Sequence, residues 1–290
     1  MLLLTGATGL VGAALLRRLT AQGERVRCLV RDPRRLGPER VRVQIALGDL
    51  ADPPSFRNAL RGVSTVVHLA AAIRDQPHGS IEELNGIATC RMVEAAERAG
   101  VERFVFFSAL GATTHDRTRF LRAKALAEAA VESSRLRHVI FAPSIVYSPG
   151  DVFLNLLERL SLLPVMPVSG RGRALYQPIW AEDVADCVMA ALARDGGSVR
   201  HELAGPETIS HEDIVALALR SFGRKRHLVH VPTPIVSRGL RAATALMKSK
   251  APATWDEAEL MEVSMLSRHG TADAEALGVV PKRMAAVLGV

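Results

Sequence analysis

The sequence predicts an α/β fold: a doubly wound parallel sheet with a small discontinuous C-terminal α/β lobe. Three observations carry this. Short apolar runs alternate with helical patterns over the first two-thirds of the chain, as strands do when helices cover both faces of their sheet. The runs are continuously hydrophobic, the mark of strands buried on both faces. After Pro143 the regularity breaks, with Pro149, Gly150, Pro164, Pro167, Gly170, Gly172 and Pro178 interrupting residues 143–180.

Taken in order, the three leucines at 2–4 form the first strand, and a glycine-rich turn leads into a helix over 10–21. Residues 26–30 and 41–47 are the second and third strands, and 65–69 the fourth. A long helix over 81–99 stops at Gly100, as helices commonly do at glycine. Residues 104–107 make the fifth strand, and a helix over 119–134 leads to the sixth at 139–141. Further helices are expected near 151–161, 182–193, 211–221, 235–249 and 255–267. Residues 1–145, with a helix over 181–194 packed back onto them, make the core domain; 146–180 and 195–290 make the smaller lobe.

With 290 residues, 48% hydrophobic and 23% charged, the chain has material for a sizeable core and is not disordered. Its net charge of +7 is unevenly spread. Residues 17–42 hold nine arginines against three acids, and 214–255 hold eight basic residues and no acid, so the remainder is net acidic. With aromatics at 4% and no stacking motif or zinc finger, nucleic acid is not the expected partner. The N-terminus carries no charged leader, and no apolar stretch nears the ~18 residues of a membrane span. Cys28, Cys90 and Cys187 are lone and far apart, with neither metal spacing nor a disulfide framework. The expected location is the cytoplasm, and no metal site is expected.

Residues 5–12 read Thr5-Gly6-Ala7-Thr8-Gly9-Leu10-Val11-Gly12, between a strand and an apolar helix. Glycines permit the tight turn and a close backbone approach, and the helix N-terminus offers N–H groups and a positive dipole to a pyrophosphate. The strand–turn–helix context is what gives such a glycine pattern its meaning. Thr5, Gly6, Thr8, Gly9, Leu10, Val11 and Gly12 are therefore candidate dinucleotide contacts. The second strand ends Leu29-Val30-Arg31-Asp32. Apolar Val30 stands where an acid would hold the ribose hydroxyls of NAD, and Arg31, Arg34 and Arg35 supply guanidinium partners for a 2′-phosphate. NADP(H) is favoured over NAD(H), with Asp32 the residue that argues the other way.

These motifs resemble the short-chain dehydrogenase/reductases of the extended or atypical kind. Gly48-Asp49-Leu50 after the third strand, His68-Leu69-Ala70-Ala71 at the end of the fourth, and Leu84-Asn85-Gly86-x-x-Thr89 at the next helix all match the family pattern. The segments 99–105, 107–112, 176–185 and 203–207 are similar to the nucleotide-binding accessory subunit of respiratory complex I and its free-standing bacterial relatives. The resemblance implies a Rossmann-type core and a bound NADP(H). It assigns Asp49 and Leu50 to the adenine, and Leu69, Ala70, Ala71 and Asn85 to the cofactor lining. Pro143 and Ser144 would lie at the nicotinamide.

The family's reductases use Tyr-x-x-x-Lys, the Lys lowering the Tyr pKa so that the phenol can pass a proton. Here the motif reads Phe120-Leu121-Arg122-Ala123-Lys124: the Lys is present and the Tyr absent. The family's hydroxyl residue falls at Leu110, although Ser108 is retained. Lys124 and Ser108 are the remaining catalytic candidates, and the resemblance also makes both cofactor contacts, with Lys124 at the nicotinamide ribose the favoured role. Tyr147, Tyr176 and His115 are the nearby substitutes, and Ala142 stands where an Arg often precedes the Pro. Two functions follow from the resemblance. One is an oxidoreductase acting on a small organic or quinone-like substrate. The other is a non-catalytic NADP(H)-binding redox sensor or a respiratory-complex assembly or accessory protein.

Residues 235–250 form an amphipathic helix pattern, with Ile235, Val236, Leu240, Ala243, Leu246 and Met247 on one side and Arg238, Arg241 and Lys248 opposite. Such a helix either covers the small lobe's core or contacts a membrane surface or protein partner through its basic face.

Overall fold

The computed structural model describes residues 1–232, 234–236, 238, 240 and 254–290. The first half runs β1 (Leu2–Thr5), α1 (Leu10–Ala21), β2 (Val26–Val30), β3 (Gln44–Leu47), α2 (Pro53–Phe56), β4 (Thr65–His68), α3 (Ala88–Arg98), β5 (Arg103–Phe107), α4 (Arg119–Glu132) and β6 (Arg137–Pro143). Then come β7 (Val146–Tyr147), α5 (Val152–Leu160), β8 (Val165–Ser169), β9 (Leu175–Tyr176), β10 (Ile179–Trp180), α6 (Ala181–Leu192) and β11 (Val199–Leu203). The small lobe adds β12 (Ile209–Ser210), α7 (His211–Ser221) and β13 (His227–Val231).

The main sheet has seven strands in the order β3-β2-β1-β4-β5-β6-β11, and every pair is parallel. This is the expected doubly wound sheet. The chain leaves β1 toward β2 and β3, then returns to β4 on the other side. That reversal opens a crevice at the C-terminal ends of β1 and β4, where such sheets bind ligands. Consecutive side chains of a strand point to opposite faces. Leu4, Val67, Val105 and Phe141 accordingly pack with α1 and α6, while Leu3, Val66, Phe104 and Ile140 pack with α3 and α4. Leu3 and Leu4 are both fully buried, each contributing ~1.5–3 kcal/mol. Arg18 ties α1 to α6 through Glu182 at 2.5 Å and Asp186 at 2.6 Å. A third apolar cluster joins the small lobe to Ala109, Leu110, Leu121 and Ala142 of the core domain.

Several boundaries differ from those the sequence predicts. Residues 41–43 are not part of the third strand, because Pro33–Val41 forms a 3-10 segment broken by Gly37 at φ 60°. The helix expected over 81–99 opens with a wide π turn, Glu83–Ile87, before α3 begins. The helix expected near 255–267 ends at Leu260. Residues 199–203, expected in the small lobe and without a strand, form β11 at the edge of the main sheet, paired with β6. Ala274 and Leu277 likewise pack into the cluster shared by α1 and α6. Most of the predicted helix over 235–250 lies outside the described residues. Among the described residues, no helix is long and apolar enough to cross a membrane.

Candidate functional site

The turn between β1 and α1 is built by three glycines with separate jobs. Gly6 adopts φ +72°, and a Cβ there would stand 2.6 Å from the Ala70 backbone nitrogen. A Cβ at Gly12 would stand 2.0 Å from the Gly6 carbonyl oxygen, so only glycine lets α1 sit against the turn. Gly9 is different: its Cβ would meet nothing nearer than Gly6 O at 3.4 Å. Gly9 and Leu10 are exposed, and Thr8 and Val11 are half-buried. Gly9 caps α1 without a side-chain bond, and the first turn carries no acid. An arriving anion therefore meets backbone N–H groups and the positive helix end with no competing carboxylate. The turn suits the pyrophosphate of a dinucleotide.

Around the turn, Leu69 and Ala70 are half-buried and Ala71 is exposed. Behind them runs a buried polar chain. His68 is 1% exposed, with Nδ1 2.9 Å from Thr5 Oγ1 and Nε2 3.1 Å from Thr89 Oγ1. Thr89 donates its proton to Asn85 O at 2.6 Å, so Nε2 of His68 donates to Thr89 and Nδ1 accepts from Thr5. Burial, with the Lys124 charge adding to it, holds His68 down to about 3, so it is neutral. Asn85 is 1% exposed, and its amide is spent on protein partners: Nδ2 donates to Ala72 O and Ile81 O, and Oδ1 accepts from Ala72 N. Its part is to fix the 70–72 loop; sequence reasoning missed both that and His68, although the Asn85–Thr89 spacing was visible.

At the end of β2, Arg31, Arg34 and Arg35 are all exposed. Asp32 accepts from the Arg34 backbone at 3.0 Å and from Arg34 Nε at 3.1 Å. The Arg34 side-chain bond, then its backbone bond, hold the Asp32 carboxyl below its ordinary range. Asp32 thus caps its own turn. Asp49 and Leu50 are half-buried after β3, and Asp49 Oδ1 accepts from Ala51 N at 3.0 Å.

The other end of the crevice is closed rather than open. Lys124 is 3% exposed, and its Nζ donates to Phe107 O at 2.6 Å. The same amine lies 5.1 Å from the Phe106 ring centre and 5.7 Å from that of Phe120, one helical turn earlier. Burial pulls its pKa from 10.5 down to about 7, against an opposing pull from Glu128. Ser108 is buried and its hydroxyl donates to Glu128 Oε2. Glu128 Oε1 accepts from Arg200 Nε at 2.6 Å. Leu110 is 2% exposed and Ala142 fully buried. Pro143 is also buried; Ser144 donates to Met265 O at 2.8 Å and accepts from Gln177 N at 3.1 Å.

The substitute side chains do not reach an open surface, His115 apart. Tyr147 is 3% exposed within the small lobe's core; its hydroxyl has no hydrogen-bond partner, and burial pushes its pKa up. Tyr176, expected beside the cleft, is fully buried and donates to Met261 O at 2.7 Å. His115 is exposed in its loop. Residues 254–265 form a strap across this end. Glu257 accepts from Arg74 at 2.7 Å, Asp256 pairs with Arg119 at 3.5 Å, and Glu262 pairs with Arg117 at 3.4 Å. The structure thus brings the turn and residues 69–71 together at an open mouth, and places Ser108, Lys124, Pro143 and Ser144 beneath protein.

Comparison with known proteins agrees with this geometry. A family profile described as NAD(P)H-binding matches residues 6–195. The chain is 28% identical over 261 residues to the mitochondrial NADH dehydrogenase (ubiquinone) 1 alpha subcomplex subunit 9 of Arabidopsis thaliana. That match covers 85% of this chain and 64% of the plant protein, so the chain spans under two-thirds of that relative's length. It is 29% identical over 248 residues to the ceramide reductase of Caulobacter vibrioides, covering 84% of this chain and 76% of the reductase. Among solved structures, a nucleoside-diphosphate-sugar epimerase of Staphylococcus aureus superposes with TM-score 0.78 at 18% identity, over 100% of this chain and 99% of that one, a likeness of fold. With the strand–turn–helix, the sheet order and the matched profile in agreement, the chain belongs to the NAD(P)H-binding family of Rossmann-type, short-chain dehydrogenase/reductase-like proteins.

Proposed function

We propose that the chain binds NADP(H) in the crevice above β1, β2 and β4 and reduces a small organic or quinone-like substrate, with Lys124 in the place of the missing tyrosine. The observation that carries this reading is the amine of Lys124 at the end of β5, held near neutrality by burial and one turn from Phe120. When bound, the dinucleotide supplies the hydride. The N–H groups of the first turn of α1 hold the pyrophosphate, with Gly9 leaving it room. Arg31, Arg34 and Arg35 hold the 2′-phosphate, because Asp32 is occupied with Arg34 and its own turn. Asp49 and Leu50 border the adenine, and Leu69, Ala70 and Ala71 form the crevice wall. Displacement of the strap at 254–265 from Arg74 and Arg119 would open this end to the substrate, and protonated Lys124 would then give a proton to the substrate oxygen. In the closed form burial holds the amine down to about 7, a range suited to that task at neutral pH. Ser108 is kept from solvent by Glu128 and orients the end of β5.

A specific observation favours a second reading, a nucleotide-binding protein without turnover. Phe120 has no proton, the Ser108 hydroxyl is committed to Glu128, and Lys124 is covered. A cytoplasmic location, peripheral to a membrane, suits either reading. NADPH oxidation in the presence of quinones and enone-like carbonyl compounds separates them. Turnover lost in Lys124→Met, with NADPH still bound, supports the reductase; NADPH binding without turnover of any acceptor supports the second reading.

A further inference from the structure

The nucleotide crevice does not use the second basic segment, and the fold places part of it on a different surface. Two stretches distant in sequence, 159–176 and 214–232, come together in the small lobe and contain seven Lys or Arg and no Asp or Glu. Strand β13 pairs in parallel with β8, His227 opposite Val165 and Val229 opposite Pro167. Arg224 donates to Glu158 O at 3.0 Å and Ser161 Oγ at 2.6 Å. Arg226 donates to Ser161 O at 3.0 Å and Leu163 O at 2.9 Å. The two guanidiniums cap the carbonyl end of α5, where a positive charge is favoured, and wrap the turn at 161–163. Exposed Arg159 and Lys225 flank the same turn. Acids flank these stretches at Glu158 on α5 and at Glu212 and Asp213 on α7, with Glu212 3.3 Å from His230.

That cationic turn displays aliphatic side chains to water. Leu162 is 68% exposed and Leu163 46%, with Val165 at 41% and Val229 at 43% beside them. Met166 and Val168 point inward from β8, so alternation puts Val165 and Pro167 on its outer side. The exposed apolar residues here are aliphatic, without the Tyr, Trp or Phe that anchor most protein interfaces. Leucines rimmed by cations match a bilayer whose acyl boundary takes the former and whose anionic headgroups take the latter.

We infer that the turn at 161–165, with the adjoining strand β13, is a docking surface for an anionic phospholipid bilayer. The inference is independent of nucleotide binding. The test is flotation of the full chain with vesicles of phosphatidylcholine alone and with phosphatidylglycerol added, at low and high salt. The chain co-floats with the anionic vesicles at low salt only. Lys225→Glu lowers the apparent vesicle partition constant about thirtyfold, a change of two unit charges at the surface. Leu162→Ser with Leu163→Ser lowers the same partition constant about tenfold. All three positions are exposed, and unchanged circular dichroism and melting temperature show that the variants fold. Three outcomes overturn the inference: no flotation with anionic vesicles; flotation unchanged by the variants, which moves the attachment elsewhere, residues 235–250 included; or binding to soluble polyglutamate but not to vesicles, which indicates an acidic protein partner.

Discussion

Alanine substitutions at Gly9 and Gly12, three residues apart, should produce opposite failures. At Gly12 the new Cβ would lie 2.0 Å from Gly6 O and 2.8 Å from Gly6 C, far inside the ~3.5–4.0 Å of ordinary carbon contact. Both partners are backbone, so α1 must move off the turn, at an overpacking cost of ~1–3 kcal/mol. In a domain of this size that lowers the melting temperature by several degrees. At Gly9 the backbone sits at φ −85°, ψ 177°, open to alanine, and the nearest atom is 3.4 Å away. The loss of chain entropy in the unfolded state favours alanine by ~0.4–1 kcal/mol, and the poorer N-cap roughly offsets it. Stability therefore stays within about 0.5 kcal/mol. The methyl, however, enters the space where the pyrophosphate approaches. Losing one charge-assisted hydrogen bond there, at ~1.5–3 kcal/mol, weakens NADPH binding by about 10- to 100-fold. Thermal melts with and without NADPH, together with a fluorescence titration, read both quantities. NADPH affinity unchanged in Gly9→Ala, or wild-type stability in Gly12→Ala, would refute this reasoning.

Other expectations are equally direct. Lys124 titrates near 7 when folded and near 10.5 when unfolded, so the unfolded chain binds more protons between these values and stability rises with pH across that window. Lys124→Met flattens the rise and removes a burial penalty of up to about 5 kcal/mol at neutral pH. The carbonyl of Phe107, left unpaired, offsets about 1–3 kcal/mol of this; urea melts stepped in pH measure the balance, and a wild-type stability flat from neutral to alkaline pH contradicts it. If protonated Lys124 is the donor, NADPH-oxidising activity falls as pH rises through about 7, and a rate that climbs there opposes that role. Arg34→Ala with Arg35→Ala weakens NADPH at least about tenfold while leaving NADH nearly unchanged, as calorimetric titration of each nucleotide would show. Glu257→Ala breaks the half-buried pair with Arg74 and lowers hydrogen-exchange protection over 254–262; protection equal to wild type there means the pair does not hold the strap.

Local constraints were legible in the sequence, and long-range ones were not. The turn at 5–12 is readable because its glycines, strand and helix are contiguous. Gly6 and Gly12 are also demanded by contacts within that turn or with the next strand over. The continuous apolar runs revealed the sheet because burial on both faces leaves no polar positions to confuse the pattern. By contrast, Glu128 meets Ser108 within one supersecondary unit but finds Arg200 72 residues away on β11. No spacing rule announces that partner, and β11 itself, reading VRHEL, looks like a surface strand until it pairs with β6. Tyr176 and Ser144 looked like cleft residues by position, yet they bond to Met261 and Met265 of a strap 85 and 121 residues later. Arg224 and Arg226 read as unassigned charge because the carbonyls they bond belong to the end of α5 and the turn after it, more than 60 residues upstream.

The central claim is that the Gly6–Gly12 turn and the arginines after β2 hold NADP(H). Calorimetric titration of the full chain with NADPH, and separately with NADH, tests it most directly. Saturable micromolar binding of NADPH, with NADH weaker, is the predicted result. Tighter binding of NADH would contradict the arginine assignment, and no binding of either nucleotide would contradict the claim itself.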